Sequence, residues 1–110
     1  ILFAGGSAGG LAAMLHCDML RSMVPNVGRF KCFADAGFFL AGTNESVFGY
    51  DFREHQFDNV VLKHEIAKYL PEECKTQMNP NLCFFPQNFI QYIKTPLFLA
   101  ESSIDSYQVI

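Results

Sequence analysis

A serine flanked by glycines is the group in this chain whose setting best suits covalent chemistry. Ser7 stands at the centre of Gly5-Gly6-Ser7-Ala8-Gly9, which matches the pattern G-x-S-x-G. In this pattern a strand turns sharply into a helix and exposes the serine hydroxyl at the helix N-terminus, whose partial positive charge favours a developing anion. The pattern therefore predicts a nucleophile for acyl transfer, with the N–H of Ala8 as one donor to the oxyanion.

The glycines of this turn admit two other interpretations, a phosphate-binding turn and a purely structural one. A Walker loop requires a lysine immediately before its Ser or Thr, and no lysine precedes Lys31. A dinucleotide fingerprint requires a glycine at the place of Ser7. For a nucleophile turn we expect a Cβ at Gly5 or Gly9 to collide with the neighbouring strand or helix. All three interpretations stay open on the motif alone, because G-x-S-x-G is informative only in its structural context.

Serine acyl transfer further requires a base and a carboxylate that orients the base, and in strand-turn-helix hydrolases the acid precedes the histidine along the chain. Asp105 follows the last predicted strand and is the first candidate acid, although the same position suits a helix N-cap for the residues from Tyr107 onward. Asp35, also after a strand, is the second candidate. Chain order argues against the histidines as the base, because all of them precede Asp105. They are His16, His55 and His64.

The residues around these candidates predict strands and helices in alternation. The predicted strands are Ile1–Ala4, Phe30–Ala34 and Leu97–Ala100. The predicted helices span residues 8–24, 54–70 and 86–93. A strand, a helix and another strand in this order give parallel strands through a right-handed crossover. We therefore expect the α/β class, with the three strands in one sheet and with Ser7 and Asp105 at its carboxyl edge.

Composition and charge exclude several classes of partner. Half of the 110 residues are hydrophobic, which is enough for a core, and the net charge is −3 with scattered basic residues. Such a chain carries no nucleic-acid footprint. No apolar run reaches the roughly 18 residues that a membrane span needs. The absence of any C-x-x-C pair argues against a zinc site, and no motif indicates a cofactor.

Four cysteines in a chain of this length are consistent with an oxidising compartment, and they allow three disulfide connectivities. We expect Cys74 to pair with Cys83, because the two close a short loop. A second pair, Cys17 with Cys32, would join the first helix to the second strand. Asn44 begins an N-x-S sequon in a polar stretch and is a candidate glycosylation site, which also favours secretion.

Six blocks of sequence carry a family resemblance. They are Leu2–Gly10, Leu15–Asp18, Lys31–Phe39, Leu82–Asn88, Tyr92–Phe98 and Asp105–Ser106. In these blocks the chain closely resembles the plant pectin acetylesterases, a family related to the animal Notum-type lipid deacylases, and the resemblance covers essentially all 110 residues. It implies a secreted, extracellular serine esterase with a partial α/β-hydrolase fold. Its substrate would be acetylated homogalacturonan, the pectin of the cell wall.

The resemblance also implies roles for single residues. It puts the family's nucleophile at Ser7, its triad aspartate at Asp105, and its histidine beyond Ile110. We therefore expect residues 1–110 to be a single fragment of an esterase domain, without the first strands and the histidine segment, and to hydrolyse acetyl esters negligibly by itself. The commonest family form of the turn has Cys where this chain has Gly6. That change should leave the nucleophile in place.

Two other functions stay open at this point. A Notum-like lipid deacylase would share the nucleophile, but the block Cys83–Asn88 is of the plant type. A non-catalytic remnant that binds polysaccharide is the other alternative, since no histidine follows the candidate acid.

For a small acyl pocket near Ala8, the candidate wall residues are Phe38 and Phe39. The sequence carries no signal for an oligomeric state.

Overall fold

The computed structural model describes residues 1–42 and 52–108, which form two compact units. The first, here called the sheet unit, consists of residues 1–39 and the described residues from 90 onward. The second, the helical unit, consists of the described residues between 40 and 89. Asn44, the candidate glycosylation site, lies outside the described residues. No helix within them combines the length and the apolar composition that a bilayer crossing demands.

Three parallel strands form the sheet, in the order β1 (Leu2–Gly6), β2 (Lys31–Asp35) and β3 (Leu97–Ala100). Cys32 on the central strand lies beside Phe3 on one side and beside Leu97 on the other. The predicted α/β class and the single parallel sheet are confirmed. Because all three strands run in the same direction, the segments that follow them leave from one edge of the sheet.

The helix that joins β1 to β2, α1 (Ala8–Met23), packs on one face of this sheet. Its buried residues recur at helical spacing and form one stripe. They are Gly10, Leu11, Ala13, Met14 and Cys17. Cys17 meets Phe30 and Cys32 in a buried cluster, which Phe3 and Leu97 extend. The opposite side of the helix is exposed at Met19 and Met23. The helix predicted over residues 8–24 is therefore confirmed, with one buried face.

Short helices build the helical unit. They are α2 (Phe52–Lys63), a 3₁₀ turn (Ile66–Tyr69), α3 (Glu72–Lys75), a second 3₁₀ turn (Pro80–Phe84) and α4 (Pro86–Phe89). An aromatic core holds them together: the ring of Phe57 stacks on that of Phe85 at a centroid distance of 4.7 Å, and Val61 and Phe89 are buried.

Of the two helices predicted for the later part of the chain, the first is too long and the second is only partly α-helical. The structure ends α2 at Lys63 rather than near residue 70, because Glu65 has a φ of 51°. A right-handed helix cannot continue through that left-handed backbone conformation. The helix predicted over residues 86–93 consists of α4 followed by a 3₁₀ turn, Ile90–Tyr92.

Each unit contains one disulfide. Cys17 is joined to Cys32 in the sheet unit, and Cys74 is joined to Cys83 in the helical unit. The Cα atoms of the pairs are 6.1 and 5.9 Å apart, and all four residues are buried. These are the two pairings expected from the sequence. The first ties α1 to β2, and the second ties α3 to the 3₁₀ turn before α4.

Candidate active site

The turn between β1 and α1 holds Ser7 in an unusual backbone conformation. Its φ is 52° and its ψ is −124°, a region that costs a non-glycine residue about 1–3 kcal/mol. Three hydrogen bonds fix its main chain in this state. The N–H of Ser7 donates to the carbonyl oxygen of Asp35 at 2.8 Å, and its carbonyl accepts from Gly10 and Leu11 at 2.9 and 3.1 Å. The strained turn that the motif predicts is therefore present, and β2 helps to hold it.

The Ser7 hydroxyl is not used to cap α1. Ser7 occupies the N-cap position, where a serine side chain commonly accepts a hydrogen bond from the first turn, but its Oγ makes no such bond. The residue is exposed. The N–H of Ala8, at the first position of α1, has no acceptor within its own helix. An exposed hydroxyl and a main-chain N–H without a helical acceptor are thus adjacent at the positive end of a helix.

Glycines allow three segments to approach one another beneath this turn. A Cβ on Gly5 would lie 2.1 Å from the carbonyl oxygen of Gly9, so the predicted steric role of Gly5 is confirmed. The same prediction for Gly9 is wrong, since a Cβ there would meet no described atom within 4 Å. The carbonyl group of Gly9 takes part in the close contact with Gly5, whereas a Cβ on Gly9 would extend into open space. Gly37, which no motif indicates, makes a further close approach: a Cβ there would lie 2.7 Å from the main chain of Gly10.

The segment after β2 connects the turn at Ser7 to the exit of β3. Ala36 has a φ of 50°, and its N–H donates to the carbonyl of Ala100 at 2.8 Å. The N–H of Phe38 donates to Oε1 of Glu101 at 2.6 Å. Asp35, the second candidate acid, contributes its carbonyl oxygen to Ser7 while the residue itself is exposed. Residues 35–38 therefore bridge the ends of all three strands.

Asp105 lies five residues beyond β3 and is half-buried. Its Oδ1 accepts a hydrogen bond from the N–H of Tyr107 at 2.9 Å, and its Oδ2 accepts one from Nε2 of Gln108 at 3.1 Å. The first of these bonds caps a short turn, as the N-cap interpretation expects. A carboxylate has about four acceptor positions, so these contacts leave room for another donor.

The histidines are distributed over both units. His16 lies on α1, nine residues beyond Ser7, which corresponds to about 13 Å along the helix axis. That separation excludes a hydrogen bond between the two side chains. His55 lies on α2, and His64 follows the end of that helix. They border an open groove of about 290 Å³ in the helical unit. Its lining consists of His55, Gln56, Asn59, Val60, Lys63 and His64.

The candidate wall residues of the acyl pocket and the possibility of metal ligands also bear on the site. Phe39, a candidate wall residue, is buried and meets the ring of Tyr107 edge-on at a centroid distance of 5.9 Å, and Phe38 is half-buried. Among residues 1–42 and 52–108, no group of three or more His, Cys, Asp or Glu side chains is arranged to hold a metal ion.

Asp18 fixes the entry to β3, and nothing in its local sequence indicated this. Its carboxylate accepts hydrogen bonds from the N–H of Lys94, from the N–H of Thr95 at 2.8 Å and from the Thr95 hydroxyl at 2.7 Å. Burial acts to raise the pKa of Asp18, but these hydrogen bonds outweigh burial and lower the pKa below its usual range. An ionised side chain on α1 therefore holds the start of the strand that leads to Asp105.

Comparison with known sequences identifies relatives over the whole chain. The model of the family described as Pectinacetylesterase matches residues 1–110. Pectin acetylesterases 7 and 11 of Arabidopsis thaliana are each 41% identical to the chain over 108 residues, which cover 98% of it. The same alignments cover 27% of each relative, so the chain spans about a quarter of the length of these curated relatives.

A solved structure shares the fold. The Wnt deacylase Notum from Drosophila superposes with a TM-score of 0.79, at 24% sequence identity, over 97% of this chain and 32% of that one. At this level of identity the likeness concerns the fold alone. It assigns the three parallel strands and their helices to part of an α/β-hydrolase-like domain.

Proposed function

Because the chain belongs to the pectinacetylesterase family, we propose that it forms part of a serine esterase that releases acetate from pectin, with Ser7 as the nucleophile. The observation that carries this proposal is the backbone of Ser7, whose φ of 52° holds an exposed hydroxyl at the start of α1. A purely structural turn would form with less strain if glycine occupied this position. The strain is therefore best explained by the need for a hydroxyl.

In the proposed reaction Ser7 Oγ attacks the carbonyl carbon of an acetyl ester, and its proton passes to a histidine from outside residues 1–110. The new C–O bond turns the carbonyl oxygen into an oxyanion, which faces the N–H of Ala8 and the positive end of α1. Collapse of this intermediate expels the sugar oxygen, which takes the proton from the histidine and leaves an acetyl group on Ser7. Water, deprotonated by the same histidine, then releases acetate and restores the serine.

Asp105 is the proposed carboxylate that orients this histidine. Hydrogen bonds to both of its oxygens fix the rotation of the side chain, and the residue is half-buried. Its bond to the N–H of Tyr107 is compatible with catalysis, because further acceptor positions stay available. Asp35 is the weaker candidate, since it is exposed and supports Ser7 through its main chain.

The proposed substrate is acetylated homogalacturonan of the cell wall, outside the cell. The names of the two plant relatives support this substrate class, and the two buried disulfides fit an oxidising compartment. Residues 1–110 would form one segment of the esterase domain, without acetyl-esterase activity of their own, and Phe38 or Phe39 would line the acyl pocket. A lipid deacylase is the second candidate, supported by the 26% identity of the chain to the palmitoleoyl-protein carboxylesterase NOTUM of Drosophila melanogaster.

Acetate release from acetylated homogalacturonan by the full-length protein that carries this chain tests the proposal. We expect Ser7→Ala to lower kcat by roughly 10⁴-fold or more. The matched control is Ser22→Ala, at the far end of α1, where the hydroxyl donates to the carbonyl of Met19. Equal activity of the two variants would contradict the assignment of Ser7 and would favour a non-catalytic protein that binds polysaccharide.

The acid and the acyl group are tested separately. Asp105→Asn should cost up to about 10⁴-fold in kcat, whereas Asp35→Asn should have little effect. The reverse result would move the acid to Asp35. Hydrolysis of p-nitrophenyl acetate, with p-nitrophenyl palmitate hydrolysed far more slowly, supports the pectin substrate. A preference for the palmitate would indicate the lipid deacylase instead.

A further inference from the structure

We infer that Gln108 is a positioning residue for the Asp105 carboxylate, an inference that rests on the proposed function. The side-chain amide of Gln108 donates to Oδ2 of Asp105 at 3.1 Å and to the carbonyl oxygen of Phe38 at 3.1 Å. A glutamine amide carries two N–H groups, so it can make both bonds at once. Gln108 therefore links the carboxylate to the segment that follows β2.

That segment is also the one that holds the nucleophile. The carbonyl of Asp35 accepts the hydrogen bond from Ser7, and the N–H of Ala36 donates to Ala100 at the end of β3. Phe38, three residues after Asp35, accepts from Gln108 and donates to Glu101. Ser7 and the Asp105 carboxylate are thus both fastened to residues 35–38.

The hydrogen bond from the Tyr107 N–H does not by itself orient the Asp105 carboxylate relative to residues 35–38. The N–H of Tyr107 belongs to the same turn as Asp105, so it fixes the carboxylate relative to its own turn. Gln108 fixes the carboxylate relative to a different strand end. The edge-on contact of the Tyr107 ring with Phe39 packs the turn against the segment that follows β2. It does not set the direction of the Asp105 carboxylate, which the hydrogen bond from Gln108 to Oδ2 does.

In the proposed site, the hydrogen bond from Gln108 to Asp105 affects how the carboxylate is oriented towards the histidine. The N–H donated by Gln108 holds Oδ2 of Asp105, while the other acceptor positions of the carboxylate stay available. The carboxylate must direct one of those positions at the histidine N–H for the base to take the proton of Ser7. A displacement of about 1 Å in such a group can cost about 10²-fold in rate.

The test uses steady-state kinetics of the full-length protein that carries this chain, with acetylated homogalacturonan as substrate. We expect Gln108→Ala to lower kcat roughly 10- to 100-fold while KM changes less than about twofold. Gln87→Ala is the matched control, because the Gln87 side chain accepts a hydrogen bond from the main chain of Ala41 in the helical unit. It should keep the kcat of the unsubstituted protein. Gln108→Asn, whose amide is one methylene too short for both bonds, serves if the alanine variant does not fold.

A double-mutant cycle separates positioning from a structural role. If Gln108 acts through the carboxylate, Gln108→Ala should change kcat less than about twofold in the Asp105→Asn background. Retention of the full 10- to 100-fold loss in that background would overturn the inference. So would a kcat for Gln108→Ala equal to that of the Gln87→Ala control while Asp105→Asn is severely impaired. An unimpaired Asp105→Asn variant would instead overturn the acid of the proposed function, and the inference with it.

Discussion

The sheet unit and the helical unit hold their polar side chains in different ways. Ser7 and Asp105 lie in segments whose main chains are hydrogen-bonded to the ends of neighbouring strands or to their own turn. His55, Lys63 and His64, by contrast, lie on one helix or just after it, and the His55 ring contacts Asn59, one turn away in the same helix, at 3.1 Å. Residue type alone is therefore a poor guide to a site. A better guide is a place where the positions of side chains are fixed. Such a place is recognised by a strained backbone, by close approach of main chains and by hydrogen bonds between strand ends.

The units also differ in what makes them compact. Beneath Ser7 the sheet unit relies on glycines at which main chains touch directly, so a side chain at Gly5 or Gly37 would collide with main-chain atoms. The helical unit relies on large rings, with Phe57 packed against Phe84 and Phe85 at centroid distances of 5.3 and 4.7 Å. We expect the first kind of contact to tolerate substitution far less than the second, because main-chain atoms cannot rotate out of the way.

The largest effect should come from Gly5→Ala in the full-length protein. The new Cβ would lie 2.1 Å from the carbonyl oxygen of Gly9, so β1 or α1 must move. We expect a loss of about 3 kcal/mol or more in the free energy of unfolding, measured with urea. Gly28→Ala is the control, since a Cβ there meets no described atom within 4 Å. Equal stability of the two variants would show that the turn is less tightly packed than described.

Removal of the disulfides should come next in size. In the chain-entropy relation, closing 15 residues between Cys17 and Cys32 contributes about 3 kcal/mol, and closing 9 between Cys74 and Cys83 about 2.5 kcal/mol. We expect the two double Cys→Ala variants to lose about these amounts, with the sheet unit slightly more sensitive. Urea unfolding of each variant measures the difference. A larger loss for the pair in the helical unit would reverse the comparison between the units.

Much of this fold could be predicted because its signals are local. Alternating apolar runs and the glycine-serine turn located three parallel strands and α1, since strand and helix periods are properties of neighbouring residues. The length of α2 could not be predicted in the same way. The apolar spacing of residues 54–70 predicts a helix throughout, and nothing in that stretch signals the left-handed φ of Glu65 at which the helix ends.

Only part of the candidate site could be predicted, for a similar reason. The steric role of Gly5 follows from the motif, but the approach of Gly37 to Gly10 depends on how the end of β2 meets α1. The bonds from Gln108 to Phe38 and from Thr95 to Asp18 span 70 and 77 residues. No pattern within a short window of sequence contains such pairs. Beyond Gly5 of the motif, the double glycine Gly9-Gly10 is a local sign of a close approach, and Gly10 is the member at which Gly37 comes near.

A moderate, pH-dependent effect is expected for Asp18→Asn. At neutral pH we expect a loss of about 1–3 kcal/mol in the free energy of unfolding, because the hydrogen bonds of Lys94 and Thr95 lose their charged acceptor. The folded-state pKa of Asp18 is lowered, so this stabilisation is fully present above the unfolded-state pKa of about 3.9. It is lost as the pH falls through the folded-state pKa.

The measurement for Asp18 is urea unfolding of both proteins between neutral pH and pH 3. The difference between the unsubstituted protein and Asp18→Asn should be constant near neutral pH and should shrink below about pH 4. Asp58→Asn, on α2, removes the same charge from the helical unit and should change stability by less than about 0.5 kcal/mol. If the stability difference for Asp18→Asn stayed constant down to pH 3, the ionised carboxylate would stabilise the fold no more than the protonated one does.

The smallest effect, and one of opposite sign, is expected for Gly9→Ala. Gly9 is the second residue of α1, and a Cβ there meets no described atom within 4 Å, although the G-x-S-x-G pattern suggests that it should collide. Alanine is favoured over glycine inside a helix by about 1 kcal/mol, and somewhat less in the first turn. We therefore expect a gain of roughly 0.5 kcal/mol in urea unfolding, the reverse of Gly5→Ala four residues earlier. A loss of more than about 1 kcal/mol would restore the steric role of Gly9. A stable variant whose kcat falls would show that the open space beside Gly9 is needed by the substrate, since the strain of Ser7 is unchanged by a side chain that touches nothing.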